Sequence, residues 1–174
     1  MATTREHADA YLAQAREDLM GARALVRAGT VDPSLVAPSV LAMLMQMTFE
    51  KLAKAALLRN GSMTVNAARA THRAASAMVS QLRRNRRLLA PLGGDIVWLD
   101  VLTIVPELER AHPQLAGPGG AQLEYPWEGA NAEIRWPARD LAIAQRLCDP
   151  ISNGGPRVIM FASKLVENFD QIYP

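Results

Sequence analysis

The stretch from Val40 to Gly61, VLAMLMQMTFEKLAKAALLRNG, constrains this 174-residue chain more than any other. It opens almost continuously apolar, with Val40, Leu41, Met43, Leu44, Met45, Met47 and Phe49. No charge occurs between Val40 and Phe49, which fits a helix surrounded by protein on all sides. Phe49, Leu52, Ala53 and Ala56 then recur at spacings of three and four, the pattern of a helix emerging to water. Glu50 stands four residues before Lys54, the favourable order for an ion pair on one helix face. Asn60-Gly61 ends the segment, because both residues tolerate a left-handed cap. The rest of the chain is expected to wrap this central helix.

Composition supports that architecture. Hydrophobic residues make up 49% of the chain and charged residues 21%, enough to build a core and too apolar for disorder. Aromatics reach only 5%, and Ala, Leu, Arg and Met dominate, a balance that favours helix over sheet. One all-α domain over residues 1–174 is the reading, with about five to six helices. The net charge of +2 hides two blocks. From Ser34 to Ala90, nine basic residues face Glu50 alone; from Pro91 to Asp140, three basic residues face eight acids. The blocks either neutralise one another or leave a basic surface for an anionic partner.

Several classes are disfavoured. Cys148 is the only cysteine, so no internal disulfide forms, and it reads as a small core residue. The charged opening MATTREHADA lacks the apolar centre of a signal peptide. The uncharged run from Pro33 to Phe49 is short for a membrane span and contains Pro33, Pro38 and Gln46. The expectation is a cytoplasmic protein with no membrane segment.

Along the chain, Thr3 or Thr4 caps a first helix to about Ala28, striped by Leu12, Ala15, Leu19, Ala22 and Val26 and stopped by Gly29. Pro38 either kinks the second helix or marks its start. A third helix is expected over Ala67 to Leu89, carrying a polar stripe of Arg69, Arg73, Ser76, Ser80, Arg83 and Arg87. A fourth covers Asp95 to Ala111, interrupted or restarted by Pro106. The segment from His112 to Trp136 holds glycines, prolines and two of the three tryptophans. There Leu123-Glu124-Tyr125 and Ala132 to Arg135 flank Gly129-Ala130-Asn131, a short-hairpin pattern. A fifth helix runs from Pro137 to about Cys148, Asp149-Pro150 through Gly155-Pro156 forms turns, and a last helix covers Arg157 to about Tyr173.

Four pieces in this order carry a family resemblance: Ala10-Tyr11-Leu12 to Asp18-Leu19, the Gln46 to Gly61 helix with FEKLAKAALL, Thr71-His72, and Tyr125-Pro126 before a closing helix. Together they resemble the higher-eukaryote-and-prokaryote nucleotide-binding (HEPN) superfamily, whose helices repeat a similar EK-x-x-KA-L-L sequence. The resemblance implies an up-and-down bundle of four or more helices that commonly forms a homodimer. It also implies one of several roles: the substrate-binding part of nucleotidyltransferases, an RNA-cleaving toxin of the toxin–antitoxin type, or a partner of a small nucleotidyltransferase. Fold alone does not choose among these.

The site residues are weighed on their own chemistry. Ribonuclease members of that family place an arginine, four to six residues, then a histidine, pairing a cation for the phosphorane with a proton carrier. Here Arg5, Arg69 and Arg110 stand only two or three positions before His7, His72 and His112, so the motif is absent. No catalytic residue is therefore assigned. His72, beside Arg69 and Arg73, is expected to meet Gln46, Glu50 and Lys54 and to hold a phosphate or nucleotide. The plain alternative is a histidine bonded within the bundle. Arg83, Arg84, Arg86 and Arg87 form either a phosphate grip or a solvated helix end; this helix offers no aromatic platform for bases. Tyr125, Trp127, Arg135 and Trp136 supply a ligand or partner surface, with Arg135 able to stack on a tryptophan, or else pin the loop to the bundle. Three scattered histidines and one cysteine lack zinc spacing, Gly117 to Gly120 lacks the lysine of a phosphate loop, and no cofactor is expected. The reading is a non-catalytic HEPN-like module binding a nucleotide, nucleic-acid phosphates or a nucleotidyltransferase partner. A diverged metal-independent ribonuclease is the alternative.

Overall fold

The computed structural model describes residues 2–94, 96–117, 120–129, 131–149 and 153–174. The first helix, α1 (Thr4–Val31), begins with a reciprocal cap in which Thr3 and Glu6 satisfy each other's backbone N–H groups. Gly29 does not stop it. A Cβ there would fall 2.2 Å from Val36 Cγ2, so this glycine admits the close return of the chain through the 3-10 turn Pro33–Leu35. Close approach, not termination, explains the residue.

Helix α2 (Pro38–Arg59) starts on Pro38, whose missing N–H costs nothing in a first turn. It ends at Asn60, with Gly61 at φ +71°. Helices α1 and α2 run antiparallel: Ala8 packs with Leu58, Asp18 pairs with Lys51, and Gly21 faces Leu44. Small residues at Ala8, Ala15 and Ala22 let the two backbones lie close.

The expected third helix is three segments, α3 (Val65–Ala70), α4 (Ala75–Arg84) and α5 (Arg86–Leu89), followed by a 3-10 turn Ala90–Leu92. Thr71 breaks the first junction, its hydroxyl accepting from the Arg73 N–H in competition with the helix. Glu109 then caps α4 by accepting from the N–H groups of Ala75 (2.8 Å) and Ser76 (3.3 Å). Asn85, extended at φ −111° and ψ 99°, makes the second break and caps α5. The polar stripe expected along one helix is thus distributed over three segments and a joint.

Helix α6 (Trp98–Arg110) passes through Pro106 without a break, held by buried Val105 and Leu108 on either side. Its expected start at Asp95 lies outside the described residues. After the short α7 (Pro113–Ala116) the hairpin is present, with β1 (Trp127–Glu128) antiparallel to β2 (Ile134–Arg135). Its first arm follows Pro126 rather than being Leu123 to Tyr125. Leu123 is instead buried, and its N–H donates to the Ala111 carbonyl. Ala130, Pro118 and Gly119 lie outside the described residues.

The fifth helix divides at Leu141 into α8 (Pro137–Asp140) and α9 (Ala142–Cys148). The last begins earlier than expected, as α10 (Gly154–Glu167), and breaks at Asn168 before α11 (Phe169–Ile172). Asn168 makes that break by donating its backbone and side-chain N–H groups to the Lys164 carbonyl. Pro150 to Ser152 of the expected turn lie outside the described residues.

Among the described residues five segments reach ten residues: α1, α2, α4, α6 and α10. Apart from the hairpin, the protein is all-α among the described residues. Helix α2 is the spine, contacting α1, α4, α6, α9 and α10. At its middle, Phe49 stacks on Phe161 of α10, which takes the edge of Trp98 from α6. At its end, Arg59 ties α1 through Asp9 (2.7 Å) to α11 through Asp170 and the Tyr173 carbonyl. No helix among the described residues is long and apolar enough to cross a membrane.

Candidate functional site

Gln46, Glu50 and Lys54 lie on one edge of α2 because successive steps of four residues return to the same face. The Glu50 carboxylate accepts from Gln46 Nε2 at 2.8 Å and from Lys54 Nζ at 2.6 Å. His72, in the joint between α3 and α4, brings Nδ1 to 3.1 Å from Glu50 Oε1. Glu109 positions that joint from α6 by capping α4 three residues later. Where sequence spacing places His72 at the head of a helix, the fold holds it in this non-helical joint.

The fold adds a residue that sequence spacing does not single out. His112 caps α7 and stacks on His72, with ring centroids 4.0 Å apart and planes inclined by 21°. Its Nε2 stands 3.9 Å from Glu50 Oε2. His72 and His112 come from different elements, 40 positions apart in the chain, so helix periodicity cannot relate them. The available signal was His112-Pro113, a helix-start dipeptide placing an imidazole at a cap. Tyr11 of α1 completes the surroundings, its ring 5.6 Å from Lys54 Nζ.

Electrostatics assign the protons. Burial alone would raise the Glu50 carboxyl, but Lys54, Gln46 and His72 outweigh it and hold the group below its ordinary value. An ionised carboxylate only accepts, so the His72 proton facing it is on Nδ1. Among the described residues His72 Nε2 has no hydrogen-bond partner, and it is not one of the sealed, unpartnered atoms. His112 is opposite in sense. Its Nδ1 accepts from the Gln114 N–H at 3.2 Å, so its proton is on Nε2, toward Glu50. Burial first, and then the neighbouring His72, lower the His112 pKa, against the opposing pull of Glu50 and Glu124.

Glu50, His72 and His112 offer donor atoms within 4.8 Å of one another, so the fold assembles a trio that chain spacing does not reveal. Its hydrogen bonding does not suit a metal. A ligating histidine normally donates its second N–H outward, whereas the second nitrogen of His112 accepts, and the Lys54 ammonium already occupies the carboxylate. The arrangement suits proton sharing between the carboxylate and the two imidazoles. The side chains of His72 and His112 are 18% and 13% exposed, so the ligand-facing surface is the pair of rings rather than buried Lys54.

The remaining sequence candidates divide. Arg73 is exposed next to His72, and Arg69 and Arg110 are exposed nearby in the chain; none has an ion pair among the described residues. Leu123 bonds the end of α6, which brings Glu124 close enough to act on His112 and makes the start of the aromatic loop a border of the cluster. Trp127 is buried and pins the hairpin, while Tyr125 (59%) and Trp136 (41%) stay exposed. The expected stacking of Arg135 is corrected: Arg139 lies 3.6 Å over Trp136, because Glu133 engages Arg135 two residues away. Arg83, Arg84, Arg86 and Arg87 are exposed around the end of α4 and α5, without ion pairs among the described residues, and are not part of the histidine cluster. Comparison with protein-family models, curated proteins and solved structures gave no match.

Proposed function

We propose that this chain is a HEPN-like, up-and-down helical bundle that binds the phosphate of a nucleotide or nucleic acid without transforming it. The carrying observation is the Glu50–His72 hydrogen bond with His112 stacked alongside. A phosphate oxygen only accepts, so in the bound state His72 carries both ring protons, giving Nδ1–H to Glu50 and Nε2–H to the phosphate. Lys54 and Gln46 neutralise and orient Glu50, so its charge does not repel an anion at the imidazole. Arg73 follows His72 in the chain and is exposed, and Tyr125 is exposed on the loop after Glu124. In this reading, Arg69 and Arg110 strengthen the local positive field. A homodimer and a nucleotidyltransferase-type partner belong to the proposal through the HEPN resemblance.

The test is a thermal-shift screen of nucleotides and short RNAs at low salt. A ligand at a hundredfold excess over its Kd should raise the melting temperature by roughly 5–10 °C. His72→Ala and Arg73→Ala should each reduce that rise. No rise with any phosphate-bearing compound contradicts the proposal. Repeating each hit at higher salt separates diffuse phosphate attraction from a shaped site.

The second reading, metal-independent RNA cleavage, is favoured by one observation: two stacked imidazoles can serve as base and acid across one phosphodiester. The absent arginine spacing stands against it. It requires RNA cleavage in chelator that disappears in His72→Ala; intact RNA across several substrates removes it.

A further inference from the structure

A recess lies away from the histidine cluster. Arg86, Leu89, Ala90, Gly93, Gly94, Ile96 and Trp98 line a cavity of about 370 Å³ where the chain turns from α5 into α6. Its walls are mainly apolar, through Leu89, Ile96 and Trp98, and its rim is cationic. Arg86 lines it directly, while Arg83, Arg84 and Arg87 stand exposed on the adjoining segments. From α10, Lys164 reaches to 3.8 Å of the position a Cβ on Gly93 would take. None of these five cations has an ion pair among the described residues. The aromatic absent from the arginine helix in sequence is therefore supplied in space by Trp98, twelve positions beyond Arg86.

We infer that this cavity and its arginine rim bind a single-stranded nucleic acid, one base entering against Trp98 while successive phosphates meet Arg86, Lys164 and the outer arginines. The chemistry selects that class. An apolar recess beside unpaired cations matches a base joined to phosphate, and only an unstacked base can leave its strand to enter. Cations extending beyond the recess favour a strand with several phosphates over a mononucleotide. The inference rests on the phosphate-binding reading of the arginine run and not on the histidine cluster.

The test uses the full chain with fluorescein-labelled U10 and dT10, followed by anisotropy at low salt and, with unlabelled strands, by tryptophan quenching. Controls are a duplex, uridine monophosphate and an abasic decamer. Either single strand should bind and quench, at least tenfold more tightly than the duplex or the monophosphate. Arg86→Ala and Lys164→Ala should each weaken binding and flatten the salt dependence. Trp98→Leu should lower affinity roughly tenfold for the base-bearing strand and leave the abasic decamer unchanged. Because Trp98 also packs on Phe161, Gly94→Leu provides a second variant: open space surrounds a Cβ there, so the new side chain blocks the recess without entering the core. It should reproduce the Trp98→Leu loss with the melting temperature kept. His72→Ala should retain this binding, which separates it from failure of the cluster. Absence of binding, equal binding of the abasic decamer, or indifference to Gly94→Leu overturns the inference.

Discussion

Glu50 is the residue on which the cluster depends, because it receives Gln46, Lys54 and His72 and faces His112. Removing it would leave the buried Lys54 ammonium without a carboxylate. Glu50→Ala should therefore cost about 3 kcal/mol in urea unfolding, and Glu50→Gln with Lys54→Met should recover much of that loss. Acid should act in two windows. The folded His112 pKa lies below its ordinary 6.5, so the unfolded chain binds that proton more tightly and stability falls as pH drops through and below 6.5. The folded Glu50 pKa lies below 4.5, so its contribution is complete above 4.5 and is lost as pH falls through the folded value. Melting temperatures at pH 8, 6.5, 5 and 3.5 should decline in both windows. His112→Asn, which keeps a capping side chain, should flatten only the upper one. At this scale, Gln46, Glu50 and Lys54 were legible because helix periodicity relates them. His112 was not, because its relation to His72 exists only through packing between distant elements.

Local elements divide more finely than their apolar patterns indicate. Ala67 to Leu89 has the periodicity of one helix, yet Thr71 and Asn85 each offer the backbone a competing hydrogen bond, and Glu109 fixes the new helix start from 34 residues away. No local pattern contains that last partner. The long helices α1, α2 and α6 were legible from their sustained stripes, but Gly29 and Pro106 were read as a stop and an interruption where the helices run on. Two glycines on α1 test whether close approach governs that helix. Gly29→Ala should destabilise by about 1–3 kcal/mol despite alanine's better propensity, and Val36→Ala should partly rescue it. Gly21→Ala meets only the flexible tip of Leu44 at 3.3 Å and should be neutral or stabilising by up to about 1 kcal/mol. Denaturant midpoints of Gly29→Ala, Gly29→Ala with Val36→Ala, and Gly21→Ala decide this. Equal effects at the two glycines would contradict the packing argument.

For the whole molecule, the apolar half of α2 made an all-α fold legible, since a helix without charge must be covered on every side. The covering helices meet it through Phe49, Phe161 and Trp98, and Arg59 closes the far end. The two blocks do not pair with each other among the described residues: Glu107 and Asp100 of the acidic block pair with Arg146 and Arg157 beyond it, and of the nine cations of the basic block only Lys51, Lys54 and Arg59 have ion pairs. That surplus makes an anionic partner the physical expectation. Sedimentation across a concentration series should give a dimer; a monomer at all concentrations would remove the homodimer from the proposal. The central claim is that a phosphate ligand is held at the paired imidazoles, and long-range proton–nitrogen spectra of the histidine rings test it most directly. Adding the best ligand from the thermal screen should shift His72 Nε2 strongly while His112 keeps its proton on Nε2. Saturating binding that moves neither ring would contradict the account.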